Sequence, residues 1–153
     1  MQTGHEVLAT MHASSVEKLI QRLTGSPINV PKTYIDNLNI AIIISAVRLP
    51  DGKTARRIVS INEIVDYDVS SDAFSFVEVF RWDATNDSFG FVPQSYLLER
   101  KVAFRRGIPP ENKRAIYDEL TRTTRLFEKL HTQASNFFDV CRILSRAYME
   151  GLL

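Results

Sequence analysis

Apolar residues recur along the chain in two rhythms, and the switch between them outlines the fold. From Glu6 to Ala13, "EVLATMHA" alternates as a short strand, with Leu8, Thr10 and His12 on one side and His5, Val7, Ala9 and Met11 on the other. Apolar side chains on both sides predict an interior strand. Ser14, three residues before Glu17, reads as a capping box. Val16, Leu19, Ile20 and Leu23 then follow the i, i+3, i+4, i+7 spacing of a half-buried helix, closed by Gly25 and Pro27. Pro31 suits the first turn of a second helix over about 31–38. Strands are expected at Ile40–Leu49 and Ala55–Tyr67, joined by the turn "PDGK", in which Gly52 can take positive φ. A further hairpin spans Phe74–Val92, with Phe74, Phe76, Phe80 and Trp82 on one face and "DATNDS" as its turn.

Beyond residue 93 the rhythm is helical. Ser95 can cap a helix to about Arg106, with Gly107 past its end, and Pro109 and Pro110 open a longer one striped by Ile116, Leu120, Phe127 and Leu130. Asn136, with Asp139 three residues on, starts a last helix carrying Phe137, Cys141, Leu144 and Tyr148. Strands followed by helices predict an α+β layout with a boundary at 93–95, dividing the chain into 1–92 and 95–153.

Composition narrows the function classes. The 19 basic and 18 acidic residues give no overall electrostatic footprint for nucleic acid or an anionic membrane. The longest apolar run, Ile40 to Val47 broken by Ser45, is far short of the roughly 20 residues of a membrane span. No basic n-region with an apolar h-region opens the chain. The single cysteine, Cys141, excludes an intrachain disulfide and fits a reducing, cytoplasmic setting.

Candidate chemistry is sparse. "DGKT" at 51–54 imitates the end of a phosphate-binding P-loop, but that motif needs glycine where Val47 stands. It also needs a helix where "ARRIVSINEIV" alternates as a strand, so a hairpin turn is expected. His5 and His12 cannot share a metal on one strand. Seven residues of extended chain span roughly 23 Å, and the odd spacing puts the two on opposite faces. No Cys, Asp or Glu cluster has ligand spacing. His131 reads as an ordinary helix residue, and the arginines of "VAFRRG" and "KTARR" as solvated surface. There is no nucleophile elbow, no paired-carboxylate motif and no Gly-rich dinucleotide loop.

The opening string "MQTGHEVLATMHASSVEKLIQRL" nevertheless resembles the histidine box of the secretion-superfamily ATPases, the hexameric motors of type II and type IV secretion, type IV pili and the archaellum. Thr3-Gly4-His5, Thr10-Met11-His12-Ala13 and Arg22-Leu23 match that pattern in order and spacing. "PINVPKTYIDNLNI" at 27–40, "VFRWDATNDSFGF" at 79–91 and "SYLLER" at 95–100 resemble the archaeal branch. In this family the P-loop and the acidic motifs precede the histidine box, and none is present here. Met1 also falls where members have an internal methionine. The resemblance therefore implies the C-terminal third of such a motor: the end of a RecA-like P-loop NTPase core with β-hairpins, then a helical subdomain. It implies ATP and magnesium for the full-length parent and no cofactor for this portion alone. The implied partners are the remainder of the ATPase, further copies in a hexamer and a membrane platform protein. The implied location is cytoplasmic, against the inner face of the membrane.

His12, at the C-terminal end of its strand, is then the candidate catalytic residue, reaching the terminal phosphate of the nucleotide. His5, the motif's second catalytic candidate, reads more readily as a link from the strand to its surroundings or to a neighbouring subunit. Thr10 supports the nucleotide site or a contact between subunits. Two readings of Arg22 stand side by side: partner to an acidic residue of the missing half, or solvent-facing helix arginine. A reading from another class stands beside the motor: a free-standing interaction or oligomerisation module with the same fold and no nucleotide chemistry.

Overall fold

The computed structural model describes residues 5–151, an α+β chain built on one antiparallel four-stranded sheet. It divides into two compact units, Met1–Lys101 and Val102–Leu153. In the first, helix α1 (Val16–Thr24) and a 3₁₀ turn (Lys32–Asn37) precede strands β1 (Ile40–Arg48), β2 (Thr54–Asp68), β3 (Ala73–Asp83) and β4 (Ser88–Phe91). The strands pair in chain order, β1-β2-β3-β4, so every connection is a local hairpin. The 51–54 segment is the β1–β2 turn. Gly52 takes φ +83, its amide donates to the Leu49 carbonyl, and the Lys53 amide donates to Asp51 Oδ1 at 3.0 Å.

The core lies on one side of the sheet. Val16 and Ile20 of α1 and Ile35 of the 3₁₀ turn are buried against Ala41, Ile43 and Ile64, with Leu19, Leu23, Val30, Leu38, Val59 and Phe74 around them. Spacing of four residues brings Val16 and Ile20 onto one helix face, and spacing of two brings Ala41 and Ile43 onto one strand face. The cap of α1 is one residue later than the sequence implies. Ser15, not Ser14, occupies the N-cap and accepts from the Lys18 amide at 3.3 Å, and its interaction with Glu17 draws that carboxyl below its usual range. At the other end the Gly25 amide donates to the Gln21 carbonyl, and a Cβ at Gly25 would stand only 2.9 Å from that oxygen.

Bulges reverse the strand alternation. Between Ile61 and Asn62 the β3 partner jumps from Phe80 to Glu78, so Val79 is the extra residue. The expected single face of Phe74, Phe76, Phe80 and Trp82 is thereby split. Phe74 joins the α1 side, whereas Phe80 stacks on Phe91 with centroids 4.6 Å apart on the other.

A second departure concerns residues 6–13. They form no strand and carry no ladder partner, and Leu8 is 98% exposed. A strand needs a neighbour to satisfy its amides and carbonyls, and none of the four strands of the sheet pairs with it. The expectation of an interior strand is therefore corrected: here this segment has no regular secondary structure and is largely exposed.

The chain leaves β4 through Ser95, whose hydroxyl accepts from the Leu98 amide at 2.9 Å and so caps the helical stretch that follows. That stretch is a π-type coil over Leu97–Val102, succeeded by the short α2 (Ala103–Arg105), and Gly107 at φ +65 ends it. In the second unit a 3₁₀ turn (Pro110–Asn112) leads into α3 (Arg114–Gln133). Asn136 caps α4 (Phe137–Met149) by accepting from the Asp139 amide. Ile116, Leu130 and Ala147 are buried. The predicted stripes are only partly inward. Phe127 is exposed, and on α4 Phe137 and Tyr148 are 73% and 75% exposed, while Val140, Ile143 and Leu144 are half-buried with Ala147 inside. The apolar arc of α4 is wider than the face it buries. No helix among the described residues is long and apolar enough to cross a membrane.

Candidate functional site

The histidine-bearing segment meets α1 in a shallow cleft of about 340 Å³, lined by His12, Ala13, Ser14, Lys18, Gln21 and Arg22. Two local features shape it. Lys18 and Arg22, four apart, lie on the same face of α1, away from Val16 and Ile20. Arg22 Nη1 donates to the main-chain carbonyl of His12 at 3.1 Å, so the helix holds the backbone that carries the imidazole. Lys18 Nζ donates to Gln21 Oε1 at 3.1 Å, within the same wall. Lys18 in the first half of α1 and Arg22 in its last turn thus set an ammonium and a guanidinium along one helix face beside His12. Chemically, this arrangement offers hydrogen-bond donors to an anion. It contains no nucleophile activated by a base.

Of the four residues expected to matter, His12 and Arg22 are brought together here. Thr10 and His5 are exposed and do not line the cleft, and Thr3 and Gly4 of the motif lie outside the described residues. Arg22 is solvent-facing on α1, as one of its two readings has it, and it makes a contact that neither reading includes. It is an exposed residue that fastens the histidine segment through a carbonyl. Lys18 and Gln21 were not foreseen. The available signal was the place of Lys18 one turn before Arg22, with Gln21 next to it, on the polar side of a helix whose other side is plainly core. Among the described residues no group of three His, Cys, Asp or Glu side chains could hold a metal ion. The residues present do not fit a magnesium site, and no chemical step is assigned to that ion.

The other well-organised polar groups are structural. Arg57 grips Asp87 through Nε and Nη2 at 2.8 and 2.7 Å, and Trp82 Nε1 donates to the same carboxylate at 2.8 Å. Together they lower the Asp87 pKa to about 2 and fasten the β3–β4 turn to β2. Asp72 accepts from Lys32 and from the Tyr67 hydroxyl, and this lowers its pKa and joins the 3₁₀ turn to the β2–β3 turn.

No protein-family model matches the chain. It is 43% identical over 155 residues to the uncharacterized protein MJ0900 of Methanocaldococcus jannaschii, an alignment covering 99% of this chain and 28% of that one. It is 38% identical over 102 residues to the uncharacterized protein MJ1287 of the same organism, covering 67% of this chain and 37% of the relative. A third relative there, the uncharacterized protein MJ0781, is 48% identical over 56 residues, 37% of this chain and 8% of its own length. The chain thus spans 28% and 37% of the lengths of the first two relatives.

Proposed function

We propose that residues 1–153 are the C-terminal portion of an ATP-hydrolysing motor of the type II/IV secretion and archaeal pilus or archaellum class, inactive alone. The observation that carries this reading is the fastening of the histidine segment. Arg22 holds the carbonyl of His12 at the mouth of a donor-lined cleft, and these are the residues through which the sequence resembles the histidine box. In the assembled motor His12 donates toward the terminal phosphate of ATP, where charge develops during transfer.

The relatives support the reading in two respects. They come from an archaeon, the branch that the later segments resemble, and the first two are far longer than this chain, with length for nucleotide-binding motifs elsewhere. Hexamerisation, docking to a membrane platform protein and a position at the inner face of the membrane belong to this same proposal.

One observation favours the interaction-module reading. The sheet face turned away from α1 carries Ile40, Ile42, Ile44 and Ile58, all exposed, as a surface for another protein. Steady-state ATPase kinetics on the full reading frame containing residues 1–153 separate the two. Magnesium-dependent hydrolysis that falls when His12 is replaced supports the motor, whereas absence of hydrolysis supports the module.

A further inference from the structure

Balanced overall charge conceals a local excess. On α3, Arg122, Arg125 and Lys129 follow one another at i, i+3 and i+7, which places them along one helix face over about 10 Å at 1.5 Å per residue. All three are exposed, and no ion pair with a carboxylate engages any of them among the described residues. Asp118 and Glu128 are on the same helix, yet neither is ion-paired to the three cations. Like charges at this spacing disfavour a helix, so the stripe is a local cost that α3 carries.

The stripe borders a groove of about 660 Å³ inside the second unit, whose walls also include Arg106, Glu119, Leu126 and Gly151. Arg106 is ion-paired with Glu119 and stands on the wall as a fourth guanidinium or ammonium group. The volume is that of a small-molecule site. Four cations face one carboxylate, which is itself engaged, so the groove selects a multiply charged anion. Three of the four are arginines, whose planar forks match phosphate oxygens in pairs. Among the described residues no aromatic side chain lines the groove, so they offer no platform on which a nucleobase could stack.

We infer that this groove binds clustered phosphate groups, either a soluble pyrophosphate-type anion or the headgroups of anionic phospholipids. The inference is independent of the histidine cleft and of the motor reading. It is tested on the 153-residue protein by calorimetry with inorganic pyrophosphate and by co-sedimentation with phosphatidylglycerol vesicles. Both are run at low ionic strength, because screening weakens such contacts. The variants are Arg122→Gln/Arg125→Gln, with Arg142→Gln, outside the groove, as the charge control.

The expected result is binding in at least one arm that falls by about tenfold or more per arginine removed, the scale of one hydrogen bond to a charged group. Binding should survive in Arg142→Gln. Pyrophosphate alone identifies a soluble ligand, and vesicles alone identify the lipid source. Should the double variant misfold, Lys129→Gln gives the same test with one exposed substitution. Absence of binding in both arms overturns the inference. So does binding that groove variants leave intact, or equal affinity for a glutamate-rich peptide, which would exchange phosphate for a protein partner.

Discussion

Replacing Glu63 by leucine should unfasten the end of the sheet from the helical stretch that follows it. Glu63 lies on β2 between Ile40 of β1 and Val77 of β3, and it is 4% exposed. Its Oε1 accepts from the Ser95 hydroxyl at 2.5 Å and its Oε2 from the Leu97 amide at 2.9 Å, while Ser95 Oγ accepts from the Leu98 amide. One carboxylate thus satisfies two donors at the start of the coil over Leu97–Val102. Leucine is comparable in bulk but accepts nothing. Stranding one buried donor costs about 1–3 kcal/mol, so two give roughly 2–4 kcal/mol after allowing for relief of carboxylate desolvation. With a denaturant slope of about 1–3 kcal/mol/M, the urea midpoint should drop by about 1–2 M. Trp82 is the only tryptophan and belongs to the same unit, so its fluorescence reports this transition. Combining Glu63→Leu with Ser95→Ala should destabilise by less than the sum of the two, because they break one shared network. A midpoint unchanged by Glu63→Leu, or strict additivity in the pair, would refute the reasoning.

Ile20→Ala, which empties a buried position between α1 and β1, should cost about 2–4 kcal/mol by urea denaturation, and a loss under 1 kcal/mol would show that α1 does not close the core. The Asp87 carboxyl, held at about 2 by Arg57 and Trp82 against its ordinary 3.8, contributes stability that is fully present above the unfolded value and lost as pH falls through about 2. Asp87→Asn should therefore flatten the acid limb of the stability profile followed by Trp82 fluorescence, and an unchanged limb would contradict this. Arg22→Ala in the full reading frame should lower kcat less than His12→Ala does, because it releases the histidine's carbonyl and leaves the imidazole in place. Equal losses would give Arg22 a direct role in the chemistry.

Local chemistry was legible where neighbours in sequence decide it. The Gly52 turn, the run of β1 and β2, the Asn136 cap and the inward face of α1 all follow from residues within one or two turns of each other. The failures came where a distant partner decides. "EVLATMHA" has strand alternation, but a strand exists only with a ladder neighbour, and the described sheet supplies none. The bulge at Val79 is set by how β3 fits β2, so it leaves no mark in β3's own alternation, and the shared aromatic face was misjudged. Glu63 and Ser95 are 32 residues apart, and nothing local announces that they meet. At the candidate site, His12 and Arg22 were chosen through resemblance. Their contact through a carbonyl rather than a side chain has no sequence signature, and a lysine such as Lys18 on an exposed helix face carries none either. The basic groove was hidden for a further reason. Net charge averages over the chain, and only the helical repeat of α3 sorts its cations onto one side.

On the proposed reading, His12 serves phosphate transfer in a larger protein of which these residues are one portion. Steady-state ATP hydrolysis by the full-length protein, wild type against His12→Ala, tests it most directly. A donor used on developing charge acts mainly in the transition state, so kcat should fall about ten- to a thousandfold while KM changes little. A kcat unchanged by His12→Ala would contradict the account.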